Sequence, residues 1–135
     1  MGYLKEIRWH GRGGQGAKTA ATLTGEVAIA EGKFGQGFPE YGPERMGAPI
    51  KGFTRISDEP INHHCAVEHP DIIVVLDETL LDTVDVCENL SDGGTVIVNT
   101  NHDGGTILDK ISKDDVDLFV LNATQIAMDE IGRPI

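Results

Sequence analysis

Cysteine is scarce in this sequence, since Cys65 and Cys87 are the only two among 135 residues. Neither lies in a CxxC or CxxH pattern, so the sequence gives no support to a disulfide framework. A 4Fe-4S cluster usually takes four thiolates, which two cysteines cannot supply. If the chain serves a redox enzyme, we therefore expect the iron–sulfur clusters to lie on another chain.

Long apolar runs and positive charge are also in short supply. No apolar run approaches the roughly 20 residues of a membrane span, and the first residues lack the apolar core and cleavage site of a signal peptide. The 11 Lys and Arg are outnumbered by 22 Asp and Glu, which gives a formal net charge of −11. Such a field repels nucleic acid and anionic lipid. We expect a cytoplasmic protein that binds neither.

The apolar residues that are present, 39% of the chain, are enough for one compact domain over residues 1–135. Their spacing predicts the order of the elements. The predicted elements are a strand at 4–10, a helix at 17–31 ending at Gly32, strands at 33–38, 50–56 and 72–76, a helix at 78–90, strands at 95–99 and 118–121, and a helix at 123–131.

Two kinds of strand are predicted, and they define the fold class. Residues 50–56 alternate in polarity, which indicates a half-buried strand, whereas residues 72–76 and 95–99 are unbroken apolar runs typical of strands covered on both faces. The order predicts a three-layer α/β/α fold with a mostly parallel sheet and a Rossmann-like opening βα unit. Because the last predicted helix is short, we expect another segment or a partner to complete the layer.

A glycine turn follows the first predicted strand and fits G-x-G-x-x-G. We give this name to Gly11, Arg12, Gly13, Gly14, Gln15 and Gly16. Such a turn before a helix can hold a phosphate, but a dinucleotide site also needs an acidic residue about 20 positions later, where only Glu40 is near. Ala17 precedes Lys18 where a P-loop needs glycine. The residues favour a structural turn or subunit contact, then another phosphate-bearing ligand, over NAD or FAD.

A second unusual stretch, residues 38–49, is rich in proline and carries polar side chains of both charges. We call it the proline loop. Its stiffness lowers the entropy lost on docking, so we predict an interface there. The predicted interface residues are Glu40, Tyr41, Glu44 and Arg45. The alternative is that Arg45 only pairs with Glu40 or Glu44 to hold the loop in place.

The remaining polar residues predict no catalytic centre. Residues 62–65 (NHHC) offer at most two donors on one face of a strand, so we expect no metal site there. His10, beside the glycine turn, is a functional candidate, although a hydrogen-bonded structural histidine is favoured. No Ser-His-Asp or Cys-His arrangement is evident, and we assign no catalytic residue.

Two stretches carry a family resemblance. Residues 6–18 (EIRWHGRGGQGAK) and 38–49 (FPEYGPERMGAP) closely resemble the gamma subunits of pyruvate and related 2-oxoacid:ferredoxin oxidoreductases. The resemblance implies a complex that oxidatively decarboxylates a 2-oxoacid (pyruvate, another 2-oxoacid or oxalate) with thiamine diphosphate and Mg. Electrons pass through 4Fe-4S clusters to ferredoxin, and the acyl group usually goes to coenzyme A.

The resemblance also implies a division of labour among subunits. It places the cofactors on alpha, beta and ferredoxin-like delta subunits or domains, with none held by this chain alone. The glycine turn and the proline loop would face a coenzyme A channel or neighbouring subunits. Family gamma subunits run some tens of residues further, so we expect a C-terminally incomplete domain or a fused partner. The alternative function is a free-standing nucleotide- or phosphate-binding module built on the glycine turn.

Overall fold

A computed structural model describes residues 3–40 and 45–134 as a six-stranded sheet with helices. The strands are Leu4–Arg12 (β1), Phe34–Pro39 (β2), Pro49–Ser57 (β3), Ile72–Val75 (β4), Thr95–Asn99 (β5) and Asp117–Leu121 (β6). The helices are Ala17–Ala30 (α1), a 3-10 helix Glu78–Asp82, Gly104–Leu108 (α2) and Ala123–Ile131 (α3). The sequence did not predict α2.

The strand order is β2-β3-β1-β4-β5-β6. β3 runs antiparallel to both of its neighbours, and the other pairs are parallel, so five strands share one direction. The α/β fold with a mostly parallel sheet is therefore confirmed. Gly32 has a φ of 85° just after α1, which is the left-handed stop that its position predicted.

Helix α1 packs unusually close to one side of β2, β3 and β1, which we call the α1 side. A Cβ atom at Gly52 would lie 2.9 Å from the Cβ of Ala21, and one at Gly37 would overlap the Ala21 carbonyl. The Thr54 hydroxyl donates to the same Ala21 carbonyl at 2.8 Å. Because glycine has no side chain, the helix backbone can approach the strands at these positions, and the packing of this layer depends on them.

The other side of the sheet, which we call the core side, holds the apolar core. Alternate residues of β4 and β5 point into it and are fully buried. The cluster of buried residues comprises Ile73, Val75, Leu81, Val86, Cys87, Leu90, Val96, Val98 and Ile107. The core is thus formed by β4 and β5, the 3-10 helix, the turns that follow it, and α2.

Three predictions about burial and length were wrong. β3 is not half-buried, because it is an interior strand whose residues Gly52, Phe53, Thr54 and Arg55 are all buried. β4 and β5 are not covered on both faces, since their residues alternate between buried and half-buried. The helix predicted at 78–90 is only the 3-10 helix Glu78–Asp82 followed by turns.

Candidate functional site at the carboxyl edge of the sheet

The glycine turn and the proline loop contact each other directly. The Gly13 amide donates to the Ala48 carbonyl at 2.9 Å, and the Gly47 amide donates to the Gly13 carbonyl at 3.2 Å. A Cβ atom at Gly13 would overlap the Arg45 carbonyl. Glycine is therefore needed at position 13 because another segment of the same chain occupies the space. The two motifs form one continuous surface.

The predicted interface residues lie at this surface as far as the structure describes them. Glu40 lies 3.8 Å from the Lys51 ammonium, and Arg45 is exposed. Tyr41 and Glu44 lie outside the described residues. Met46, which the sequence prediction did not include, is 86% exposed at the tip of the contact, and its sulfur lies 2.6 Å from where a Gly14 Cβ would stand.

Arg12 links three parts of this edge. Its guanidinium donates to the Gly47 carbonyl at 3.1 Å and to the Thr79 hydroxyl at 3.0 Å, and lies 3.3 Å from an Asp77 carboxylate oxygen. Gly47 belongs to the proline loop, whereas Asp77 and Thr79 follow β4. The Arg12 side chain thus fixes the glycine turn to the proline loop and to the segment after β4, and its N–H groups donate to acceptors of the same chain.

Asp77 accepts hydrogen bonds from several groups around the glycine turn. The Gln15 amide donates to Asp77 Oδ2 at 2.7 Å, while the Thr79 amide and hydroxyl donate to Oδ1 at 2.9 and 2.6 Å. Partial burial raises the pKa of Asp77, but the hydrogen bonds from Thr79 and Gln15 and the charge of Arg12 leave that pKa below its ordinary value. Asp77 is therefore a carboxylate that anchors the turn.

A polar cleft of about 620 Å³ opens beside this network. It lies where β4, β5 and β6 end at their carboxyl edge, the position where open α/β sheets bind ligands. Its polar lining includes Gln15, Asp77, Glu78, Asn99, Asn122 and Gln125. Its charged lining residues, Asp77 and Glu78, are both carboxylates, and apolar residues such as Leu76 and Met128 also line it, so the cleft suits a neutral ligand with hydrogen-bonding groups better than a polyanion.

Glu78 lines the cleft and pairs with His102, which lies outside the lining. Glu78 Oε2 accepts from the Thr100 hydroxyl at 2.8 Å and lies 2.7 Å from His102 Nδ1. Desolvation raises the pKa of Glu78. The hydrogen bonds from Thr100 and His102 lower that pKa by more, so it lies below its ordinary value. Glu78 is thus held ionised, and His102 is oriented by it.

His10 is structural, the interpretation favoured from the sequence. It is 3% exposed, and its Nε2 accepts from Arg8 Nε at 2.9 Å. Burial, with the charges of Arg8 and Lys51, lowers the pKa of His10 to about 3. Arg8 in turn donates to the carbonyls of Val86 and Glu88. A neutral histidine that accepts from a buried arginine is held in place on the core side, and it is poorly suited to take up a proton near neutral pH.

Sequence reasoning found the glycine turn but missed the residues that complete the edge. Asp77, Asn99 and Asn122 each end or directly follow a parallel strand. Because the carboxyl ends of parallel strands meet at one edge, that position was the available signal.

In the part of the chain that the structure describes, no three His, Cys, Asp or Glu side chains gather to hold a metal ion. Within the same residues, no helix is both long and apolar enough to span a bilayer.

Comparison with known proteins extends these observations to nearly the whole chain. The family described as pyruvate ferredoxin/flavodoxin oxidoreductase matches residues 6–135. The pyruvate/ketoisovalerate oxidoreductases common subunit gamma of Thermococcus litoralis is 52% identical over 130 residues, covering 96% of this chain and 70% of that protein. Pyruvate synthase subunit PorC of Methanothermobacter marburgensis is 48% identical over 130 residues, with the same coverage of each chain.

A solved structure agrees with the sequence comparison. The crystal structure of pyruvate oxidoreductase subunit PORC from Thermotoga maritima superposes with a TM-score of 0.85 at 47% sequence identity. The match covers 98% of this chain and 69% of that one. The glycine turn, the proline loop and the polar cleft thus lie on a scaffold shared with that subunit.

Proposed function

Because this chain belongs to the pyruvate ferredoxin/flavodoxin oxidoreductase family, we propose that it acts as the gamma subunit of a thiamine diphosphate-dependent 2-oxoacid:ferredoxin oxidoreductase. The observation that carries the proposal is the likeness to a pyruvate oxidoreductase subunit, at 47% identity and a TM-score of 0.85 over 98% of the chain. The complex would oxidatively decarboxylate pyruvate, another 2-oxoacid or oxalate, and reduce ferredoxin. The comparisons give no support to a free-standing nucleotide-binding module.

The catalytic centre is proposed to lie mainly on partner subunits. The chain has two cysteines, one exposed and one buried, so 4Fe-4S clusters that each need four thiolates do not fit it. No acidic or histidine cluster suited to the Mg of thiamine diphosphate is found among residues 3–40 and 45–134. We therefore assign these cofactors to alpha, beta and ferredoxin-like delta subunits or domains.

The gamma subunit itself is proposed to contribute a docking surface and one wall of a substrate channel. The glycine turn and proline loop present exposed Met46 and Arg45 to a neighbouring subunit, while their own hydrogen bonds stay within the chain. The adjacent cleft suits the amide-rich pantetheine arm of coenzyme A better than its phosphates, because Asp77 and Glu78 are held as carboxylates.

Reconstitution tests the subunit proposal. Co-expressed alpha, beta and delta subunits should reduce ferredoxin or viologen with a 2-oxoacid well only when this chain is added, and the chain should co-elute with them. The isolated chain should show no such reduction. Co-elution failing under every 2-oxoacid and partner combination, or reduction by the chain alone, would contradict the proposal.

The coenzyme A wall has its own test in the assembled complex. Asn101 lines the cleft and is exposed, so Asn101→Glu should add bulk and negative charge there without disturbing the core. We expect the KM for coenzyme A to rise several-fold while kcat and complex assembly are retained. Asn62→Glu, at an exposed position on another part of the surface, is the matched control. An unchanged KM in both variants would remove coenzyme A from this cleft.

A further inference from the structure

Strand β2 forms one edge of the sheet, and this edge is open to pairing. In the part of the chain that the structure describes, β2 pairs with β3 alone, so the other side of the strand has no neighbour. Native sheets usually protect an edge with charged side chains, a bulge or a covering segment, because an open edge pairs readily with another strand. Residues 34–38 (FGQGF) carry no charge. The edge is therefore suited to receive a further strand.

The register of β2 on β3 shows which backbone groups point outward. The Glu40 amide donates to the Lys51 carbonyl at 2.9 Å, so this pair is a hydrogen-bonded one. Hydrogen-bonded and non-hydrogen-bonded pairs alternate in an antiparallel ladder. The even-numbered residues of β2 therefore bond to β3, and the odd-numbered residues turn their backbone groups to the free edge. The outward N–H groups belong to Gly35 and Gly37, because Pro39 has none.

The sequence of this edge reads the same in both directions. Residues 34–38 (FGQGF) are symmetric about Gln36. If a second copy paired antiparallel about Gln36, each Gly35 would lie opposite Gly37 of the second copy. These are the residues whose N–H and C=O groups point outward, so each glycine pair would exchange both of its backbone hydrogen bonds. A two-fold axis at Gln36 thus makes the edge complementary to itself.

The side chains on the core side of β2 also fit this pairing. Phe34 is 44% exposed and would stand opposite Phe38 of the second copy. Aromatic pairs across antiparallel strands stabilise a sheet. The Gln36 side chain accepts from Arg55 at 2.9 Å and donates to the His63 carbonyl at 2.6 Å, so its polar atoms are bonded within the chain. It therefore leaves the backbone of the edge free to pair.

The charge around this edge permits the approach of a second copy, although each chain carries a net charge of −11. Residues 17–39, which comprise α1 and β2, hold equal numbers of basic and acidic residues, namely Lys18, Lys33, Glu26 and Glu31. Many of the acidic residues lie instead between residues 82 and 117, toward the opposite edge of the sheet. Exposed charges separated by more than about 8 Å are largely screened at physiological ionic strength.

We propose that β2 is a dimerisation edge, at which two copies of this chain join through antiparallel β2 strands centred on Gln36 and form one continuous sheet. The inference rests on the strand order, the register of β2 and the symmetry of its sequence. It requires neither catalysis nor any other subunit, so it can fail while the proposed function holds.

Disulfide formation tests the register. The Cα atoms of a non-hydrogen-bonded antiparallel pair lie about 4.5 Å apart, a distance that a disulfide can span. Gln36→Cys should therefore link two copies on mild oxidation, in a Cys65→Ser background that removes the exposed native thiol. Phe34→Cys in the same background is the matched control. The two residues at position 34 would lie about 14 Å apart along the strands, so they should not link. Equal linking of both variants, or none by Gln36→Cys, would overturn the proposal.

Sedimentation equilibrium gives a second readout that needs no cysteine chemistry. We expect a dimer of the 14.5 kDa chain, and added NaCl should strengthen it because salt screens the net charge. Phe34→Lys should weaken the dimer at least about tenfold, since it removes the aromatic pairs and adds charge at the edge. Phe119→Lys, at a position 57% exposed on β6 at the opposite edge, should change it less than about twofold. A monomer under all conditions, or a dimer that only Phe119→Lys disrupts, would contradict a β2 interface.

Discussion

The Gln15 side chain joins the two ends of the candidate site: its Nε2 donates to Asp77 Oδ2 at 2.7 Å, and its Oε1 accepts from the Arg12 amide, also at 2.7 Å. Gln15 and Asp77 are 62 positions apart in the chain. The shape of the glycine turn is therefore set by a residue that follows β4, and by the parallel pairing that brings β4 beside β1.

Asp77→Asn should destabilise the chain by about 1–3 kcal/mol, since hydrogen bonds to a charged group are worth this much when partly buried. The change replaces a charged acceptor with an amide that donates as well as accepts, and the pairing with Arg12 is lost. Urea unfolding at pH 7 measures the effect. Asp82→Asn is the control, because Asp82 is 62% exposed and lies 3.7 Å from Lys110, so its loss should be close to neutral. Equal effects in both variants would refute the anchoring role of Asp77.

Gly13→Ala and Gly16→Ala separate a steric requirement from a backbone one. A methyl group at Gly13 would overlap the Arg45 carbonyl, whereas one at Gly16 meets nothing within 4 Å, although its φ is 89°. We expect Gly13→Ala to displace the proline loop and reduce co-elution with partner subunits. Gly16→Ala should cost only about 1–2 kcal/mol of stability and leave co-elution intact. If Gly13→Ala assembled normally, docking to partner subunits would not depend on the contact between the glycine turn and the proline loop.

Gly37→Ala should destabilise the layer between α1 and β2. The added Cβ would lie 2.7 Å from the Thr22 Cα, so the helix must move away, and overpacking of this kind costs about 1–3 kcal/mol. Gly104→Ala is matched in chemistry but meets nothing within 4 Å at the start of α2, and we expect it to be neutral or slightly stabilising. Thermal unfolding of both variants distinguishes packing from a general cost of adding a methyl group.

His10 should make the chain less stable in mild acid. Because burial and the nearby charges lower the folded-state pKa of His10 to about 3, the unfolded chain binds a proton there between about pH 6.5 and 3 and the folded chain does not. Stability therefore falls as the pH falls through that window, by about 2 kcal/mol between pH 7 and pH 5. Urea unfolding at both pH values measures the loss.

The variant His10→Gln isolates this contribution. Glutamine keeps an acceptor for Arg8 and does not titrate. Between pH 7 and pH 5 the free energy of unfolding of the variant should therefore fall by about 2 kcal/mol less than that of the unchanged chain. Asp77 and Glu78, whose pKa values are also lowered, are present in both proteins, so their contribution cancels in the comparison. An identical pH dependence for both proteins would mean that His10 is protonated in the fold.

Much of the fold could be predicted from local patterns, and β3 shows why one of the predictions failed. The apolar runs of β4 and β5 and the glycine stop after α1 were identified within a few residues. The prediction for β3 failed because alternation in polarity usually marks one wet face, whereas here Arg55 is buried and donates to Glu6 and to Gln36. A buried, fully paired arginine looks like a solvent-facing residue until its partners are known.

The glycine turn could be recognised in the sequence as an unusual motif, but the need for its glycines could not be explained from the sequence. The pattern alone is compatible with a structural turn or subunit contact, which the residues favour, and with a phosphate site. The structure adds that Gly13 is packed by the proline loop and that Gln15 is held by Asp77. Asp77 itself carried no motif, so only its place after a parallel strand could have pointed to it.

The sequence by itself determined the order of the six strands with helices α1 and α3, the likeness to a gamma subunit, and the expectation that iron–sulfur clusters lie elsewhere. These follow from residue type and spacing along the chain, which are local properties. The tertiary structure alone decided that the two motifs meet, that Asp77 anchors their edge, and that Arg55 is buried in the interior strand β3. Those depend on strand order and register, which bring together residues whose separation in sequence says nothing of their distance in space.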